Sequence, residues 1–467
     1  MFRSLSLLGM ALAAVVAVLM LSPARAAAPA PNVILILVDA MRADKLGPYG
    51  YTARATTPNL SRFAGRGVVF ENTISQAGWT VPSVASLFTG VDPQAHRVLR
   101  YQQSSRVEMD ALSLGHQTVA EQFKGAGYST TALMKSIVVD SGRGFSQGFD
   151  TFSVINPKQN QADGDSGREL TDAAIAWLEQ QKTAGKPFFG YLHYMDTHSP
   201  YKAPEPYYSK YRAPGYAGPV SGAHMQIEND YKKPGVVPAP ADIQQALALY
   251  DSEVEYWDAQ FGRLMATLVS TGLDANTIVV VTADHGEAFW EHGTNVFHEH
   301  LYQENIHIPF IVKAPGVKPG RFSHWTQSID IVPTLADLAG VPKGAHWQGR
   351  SQAAVLKGTG PATVLPVYAE YSERRTIIDP SGMKLLLGDP SGPMLFDLKK
   401  DPGEKNNLAA AQPDVVNRLK GLLEVRSAEG KALAAQFPME EKNEMSPEQV
   451  QQLCALGYLS GAVCEGK

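Results

Sequence analysis

The stretch "NVILILVDA", Asn32 to Ala40, constrains this chain more than any other. It is almost continuously apolar and β-branched up to Asp39, the pattern of a strand buried on both faces rather than one. "PFFGYLHYMDTHSPY", "ANTIVVVTADHGE" and "HIPFIVKAPG" repeat the design, each run closing on Pro, Gly or acidic residues. Between them lie amphipathic segments, "GRELTDAAIAWLEQQK" and the long "DIQQALALYDSEVEYWDAQFGRLMATLVSTG". In the second, Leu247, Tyr250, Val254, Trp257 and Phe261 recur at helical spacing. Strands alternating with helices predict an α/β fold with a mostly parallel central sheet, covered by helices on both faces. The 467 residues suffice for one large α/β domain with an appendage.

The texture changes after about Gly360. "PVYAEYSERRTIIDPSGMKLLLGDPSGPMLFDLKKDPGEKNNL" reads as short strands joined by Asp-Pro and Ser-Gly turns, and "PDVVNRLKGLLEVRSAEGKAL" follows as a helix. A smaller C-terminal α+β subdomain is expected over 361–440, after a main domain over 27–360 and before a tail over 441–467. The N-terminus, "MFRSLSLLGMALAAVVAVLMLSPARAAAP", has a cation at Arg3 ahead of an apolar run from Leu5 to Leu21, and small residues around Ala24-Arg25-Ala26. This three-part pattern predicts a signal peptide over 1–26 and an exported protein, periplasmic or secreted. An uncleaved run would instead tether the chain to a membrane. The two cysteines, Cys454 and Cys464, lie in the tail without nearby histidines, and export permits them to pair. A net charge of -5 without a basic patch speaks against nucleic acid as a partner.

Chemistry gathers where the strands should end. The first run stops at Asp39, "IVVVTADHGE" delivers Asp284 and His285, and "YLHYMDTH" delivers His193, Asp196 and His198. In open parallel sheets the carboxyl ends of strands line the ligand crevice, so these groups can converge. Asp39, Asp284 and His285 form a mixed oxygen and nitrogen set suited to a divalent metal ion. A lone Asp after a strand is also an ordinary turn or cap residue. Thr80, in "QAGWTVPSVASLFTG", has two readings as well. It caps the helix that Pro82 helps to start, or it presents a hydroxyl where unpaired backbone N–H groups welcome an anionic ester.

These segments together resemble the sulfatase branch of the alkaline phosphatase superfamily, from Asn32 to about Leu408. The likeness is carried by "NVILILVDAMRADKLGPYGY", "TPNLSRFAGRGVVFENTISQAGWTVPSVASLFTG", "YSTTALMKS", "HYMDTHSPY", "TADHGEAFWEHG", "FHEHLYQENIHIPFIVKAPG", "IDIVPTLADLAG" and "LFDLKKDPGEKNNL". The resemblance implies metal ligands at Asp39, Asp284 and His285, completed by Thr80, which also falls on the nucleophile position. It implies that Lys135, His198 and, on a weaker match, His298 hold the substrate anion. His198 would in addition protonate the leaving oxygen. Mn, Zn, Ca and Mg are all compatible with the implied metal site.

Three departures bear on the chemistry. Sulfatases carry a Cys or Ser that becomes formylglycine, with an Arg four residues later; here those positions are Thr80 and Val84. Ala40 replaces the usual second Asp, and His285 stands where arylsulfatases have Asn. A threonine, one leading acid and an Asp-His pair resemble the relatives that attack phosphoesters with an unmodified hydroxyl. The expectation is a metal-dependent hydrolase of phosphate or phosphonate esters acting on a small-molecule, lipid or sugar ester. The alternatives are a sulfuric ester hydrolase, a phospho-group transferase acting on a lipid or sugar alcohol, and a non-catalytic binding protein.

Overall fold

Strand β1 (Asn32–Val38) lies at the heart of the molecule, and every side chain from Val33 to Val38 is fully buried. The period of two sends Val33, Leu35 and Leu37 into one apolar layer and Ile34, Ile36 and Val38 into the other. Each such side chain contributes roughly 1.5–3 kcal/mol relative to exposure, so two-sided burial dictates this strand's place. A computed structural model of the chain describes residues 29–99, 101–103, 107–156, 165–222, 238–293, 296–297, 300–438, 443–444, 447–455 and 464. Contacts divide the chain into Met1–Ala30 and Pro31–Lys467, and the fold belongs to the second unit. The expected signal segment lies outside the described residues. Among the described residues, no helix is long and apolar enough to cross a membrane.

Seven further strands join β1: β2 (Val68–Ile74), β3 (Ser129–Met134), β4 (Thr151–Val154), β5 (Phe188–Tyr194), β6 (Thr277–Thr282), β7 (His307–Lys313) and β8 (Gly320–Gln327). Their order is β8-β2-β7-β6-β1-β5-β3-β4. Strand β7 runs antiparallel to both its neighbours, and the remaining pairs are parallel. Helices α1 (Pro58–Ala64), α4 (Ser166–Ala184) and α5 (Pro240–Ser270) cover the Ile34 face. Helices α2 (Thr80–Thr89), α3 (Val119–Gly125) and α6 (Ile331–Ala339) cover the Leu37 face. The helical stripe read in α5 is its core face: Tyr250, Val254, Trp257 and Phe261 are buried, and Leu247 is half-buried against them.

Close helix-on-sheet contact leaves one strand position no room for a side chain. A Cβ on Gly190 of β5 would sit 2.4 Å from the Trp177 ring of α4. Gly190→Ala is therefore expected to destabilise the protein by about 1–3 kcal/mol through overpacking, read from denaturant unfolding. A wild-type midpoint would show that Trp177 can move aside.

The C-terminal region is an antiparallel sheet of β9 (Val367–Tyr371), β10 (Arg374–Ile378), β11 (Met383–Leu387) and β12 (Met394–Asp397), with helix α7 (Pro413–Ala434) on one face. Leu419 and Leu423 of α7 pack on Ile377, Leu385 and Leu395. The other face, with Ile378, Leu386 and Phe396, packs on Ile74, Leu301 and Ile306 of the main sheet region. In the tail, Cys454 and Cys464 are joined by a disulfide.

Candidate active site

Register brings the chemistry together. In the parallel pairing of β1 and β6, Leu37 lies opposite Thr282, so Asp39 and Asp284 each follow two residues beyond their paired partners. On the other side of β1, Leu37 lies opposite His193 of β5. Neighbouring residues of paired strands share a face, which places His193 beside Leu37, on the side where α2 packs. The turn after Asp39 is strained. Ala40 has a positive φ of 57°, uncommon for a residue with a Cβ. Its N–H donates to Asp284 Oδ1 at 3.2 Å, and its carbonyl accepts the Tyr250 hydroxyl at 2.9 Å. These bonds hold a conformation that costs about 1–3 kcal/mol, as strained backbone at functional sites often does.

Thr80 is not the helix cap. The extended Trp79 takes the cap position (φ -158°, ψ 164°), and Thr80 is the first helical residue. Its hydroxyl bonds to no backbone N–H of the helix; it lies 3.1 Å from Asp39 Oδ2 and 3.2 Å from His285 Nε2. All ten residues of α2 are buried, so the helix is a rigid mount, closed by Gly90 in the left-handed conformation. The loop before it is tied down as well. Gln76 donates to Gln327 and to the Tyr368 carbonyl and accepts from the Ile329 N–H, while Ser83 donates to the Ala77 carbonyl.

The residues present fit a divalent cation. Asp39 Oδ1 and Asp284 Oδ2 are buried and have no hydrogen-bond partner among the described residues. Each lies 3.5 Å from His285 Nε2. His285 Nδ1–H donates to the Gly286 carbonyl at 2.7 Å, which leaves Nε2 as the basic nitrogen facing the two acids. Ligand atoms of Asp39, Asp284 and His285 all lie within 4.8 Å of one another. Spacings of 3.1–3.5 Å match neighbouring ligands on one ion held at about 2.0–2.2 Å. Burial and the adjacent Asp39 charge push the Asp284 carboxyl up. For Asp39 burial acts in the same direction, but the neighbouring His193, His198 and His285 outweigh it and hold that carboxyl down. Two buried like charges this close call for a counter-ion.

The remaining predicted residues are placed less uniformly. His198 is buried, with its Nδ1–H on the Ser199 carbonyl at 2.6 Å, and its charge acts on both Asp39 and Glu287. Lys135 follows β3, and its N–H donates to the His193 carbonyl at 3.1 Å. Its ammonium pairs with Glu169 of α4 at 2.8 Å, so contact with a substrate anion requires that pair to open or to be shared. Asp196 lies at the start of α4, where the Gly167 N–H bonds it and burial pushes its carboxyl up to about 7. His298 lies outside the described residues. Sequence reasoning missed Tyr250, Thr197 and Glu287. Thr197 donates to the Asp39 carbonyl, and Glu287 accepts from Tyr201 at 2.9 Å. Tyr250 carried only a core signal, because its ring belongs to the α5 stripe and its hydroxyl alone reaches the site.

A family model described as Sulfatase matches residues 31–341. The chain belongs to the sulfatase family. A second model, the C-terminal region of N-sulphoglucosamine sulphohydrolase, matches residues 291–428 of this sulfatase-family hydrolase. A Delta 4,5-hexuronate-2-O-sulfatase of Bacteroides thetaiotaomicron is 26% identical over 424 residues, covering 81% of this chain and 84% of that protein. An arylsulfatase of Clostridium perfringens is 25% identical over 445 residues, covering 81% and 90%. The crystal structure of a phosphonate monoester hydrolase of Agrobacterium radiobacter shares the fold, with a TM-score of 0.70 at 21% identity over 89% of this chain and all of that one. Enzymes of this family use a divalent metal, and Asp39, Asp284 and His285 form a cluster whose ligand atoms lie close enough together to hold one.

Proposed function

We propose that this sulfatase-family hydrolase cleaves phosphate or phosphonate esters, with Thr80 as the nucleophile. The observation that carries the reading is the Thr80 hydroxyl, in contact with both Asp39 and His285 and not with its own helix. Asp39, Thr80, Asp284 and His285 would hold a divalent ion, whose positive charge would offset the charge developing on the nucleophile and the phosphoryl oxygens. Thr80 Oγ1 passes its proton to Asp39 Oδ2 and bonds to phosphorus as the bond to the leaving oxygen breaks. That oxygen departs with a proton from His198. Water, deprotonated by His198, then hydrolyses phospho-Thr80, and Oγ1 recovers its proton from Asp39. The first N–H groups of α2 lie beside the hydroxyl and favour an anionic ester.

Sulfate transfer fits this nucleophile less well. Formylglycine hydrate expels sulfate through its second hydroxyl, and threonine has none. A sulfated Thr80 would have to wait for direct attack by water, whereas a phosphorylated hydroxyl is open to that route. The test is an activity panel on the purified chain with added Mn, Zn, Ca or Mg, comparing an aryl sulfate, a phosphate monoester, a phosphate diester and a phosphonate ester. One of the phosphorus esters is expected to exceed the sulfate by about tenfold or more in kcat/KM, equivalent to about 1.4 kcal/mol of transition-state stabilisation. Preference for the sulfate would sink the phosphoester reading and leave family membership standing.

A further inference from the structure

Asp39 meets more demands than one carboxylate ordinarily does. Its Oδ2 accepts the Thr80 hydroxyl at 3.1 Å, and its Oδ1 faces the cation cluster. The next residue, Ala40, has no side-chain donor to share the load. When Thr80 passes its proton to Oδ2, that oxygen no longer accepts from the Thr80 hydroxyl, and the carboxyl loses the bond that oriented it. A carboxylate in this position needs a second donor that does not take part in the reaction.

His193 is placed to be that donor. It is fully buried, on the Leu37 face, with Nε2 3.5 Å from Asp39 Oδ2 and Nδ1 2.9 Å from the Tyr191 hydroxyl. Nε2 has no other hydrogen-bond partner among the described residues. The tautomer follows from what each nitrogen faces. A carboxylate oxygen opposite Nε2 favours N–H there over a lone pair, and the Tyr191 O–H then donates to Nδ1. Burial and the nearby Asp284 and Asp39 charges push the Tyr191 hydroxyl well up, so it keeps the proton it donates. At 3.5 Å the Nε2 contact is longer than a formed hydrogen bond, and the proposal requires it to close when the cation and ester are bound.

We propose that His193, backed by Tyr191, is a positioning residue that holds the single leading carboxylate, Asp39, in the orientation the cation and Thr80 both require. His193 lies outside the Asp39, Asp284 and His285 cluster and acts through Asp39. The inference rests on the metal site of the proposed function and not on the choice between phosphate and sulfate.

The experiment measures Mn²⁺ affinity of the full chain by competition with a fluorescent chelator, alongside kcat and KM. His193→Leu is expected to weaken Mn²⁺ binding about 10–100-fold, the usual cost of losing an outer-shell partner. Its kcat should fall while KM changes little. His193→Gln, which keeps a side-chain N–H, should recover part of both losses. Tyr191→Phe, nearly isosteric, should show a smaller loss of the same kind and decides the matter if the leucine variant does not fold. Nitrogen NMR of His193 in the Mg²⁺-loaded protein should find the proton on Nε2. Wild-type Mn²⁺ affinity in both His193→Leu and Tyr191→Phe would overturn the proposal, as would an Nε2 without a proton. Asp284→Asn serves as the control: loss of metal there with none in the His193 variants defeats this inference alone, and no loss in either defeats the metal site itself.

Discussion

Thr80→Ala is expected to reduce turnover by on the order of 10⁴-fold or more while the protein stays folded. Removing a nucleophile leaves only binding and electrostatic assistance, and the residual rate in such variants is small. The lost hydroxyl deprives Asp39 Oδ2 of one donor, a stability change of about 1–2 kcal/mol that circular dichroism and thermal unfolding would register as a modest shift. Thr80→Ser keeps the attacking oxygen and should retain measurable activity. A sharper readout is covalent. Wild-type enzyme quenched in acid during turnover of a phosphate ester should carry a phosphoryl group on the peptide containing Thr80, and Thr80→Ala should not. Full activity in the alanine variant would end the nucleophile assignment.

The second large effect is on metal content. Asp284→Asn should lower divalent metal affinity by roughly two to three orders of magnitude, since one charged oxygen ligand of the proposed site is lost. The asparagine carbonyl can still accept from the Ala40 and His285 N–H groups, so the turn is preserved. Its amide, however, points donor hydrogens to where Oδ2 faced a cation. The sign of the stability effect separates this from general damage. In the wild type, burial and Asp39 push the Asp284 carboxyl up, so the metal-stripped protein holds two acids that oppose each other's ionisation. Chelation should therefore lower the wild-type melting temperature. The variant without metal should melt no lower than the stripped wild type and should not respond to chelator. Elemental analysis of the purified variant checks the first point. Unchanged metal content would remove Asp284 from the ligand set.

Much of this architecture was legible because burial on two faces leaves a strong local trace. After Asn32 the run "VILILV" has no polar residue, and such a run has few places to lie other than the middle of a covered sheet. The α5 stripe was legible for the same reason, since a helix this long packs along a fixed face. The acidic and histidine pairs were visible at strand ends, and the open-sheet rule said where such ends point. The reversed direction of β7 was not legible. A short apolar strand in the middle of a sheet reads the same in either direction, and only its register against β2 and β6 sets the sense. The partner of Lys135 was equally hidden, because Glu169 reads as an ordinary acid in the first turn of α4.

The sequence by itself determined the sulfatase-family fold, the strand-end acids and the presence of a threonine where a modified residue is usual. These are properties of residue types at short spacing, and short spacing survives without coordinates. Only the tertiary structure decided what the Thr80 hydroxyl does. Local pattern allowed it to cap its helix or to face a metal site, and the two differ by a rotation that no neighbouring residue specifies. Trp79 takes the cap, and contacts across 41 and 205 residues of chain turn the hydroxyl toward Asp39 and His285. The role of His193 is of the same kind. Its place beside Asp39 follows from β1 and β5 pairing in one register, a relation between segments far apart in the chain.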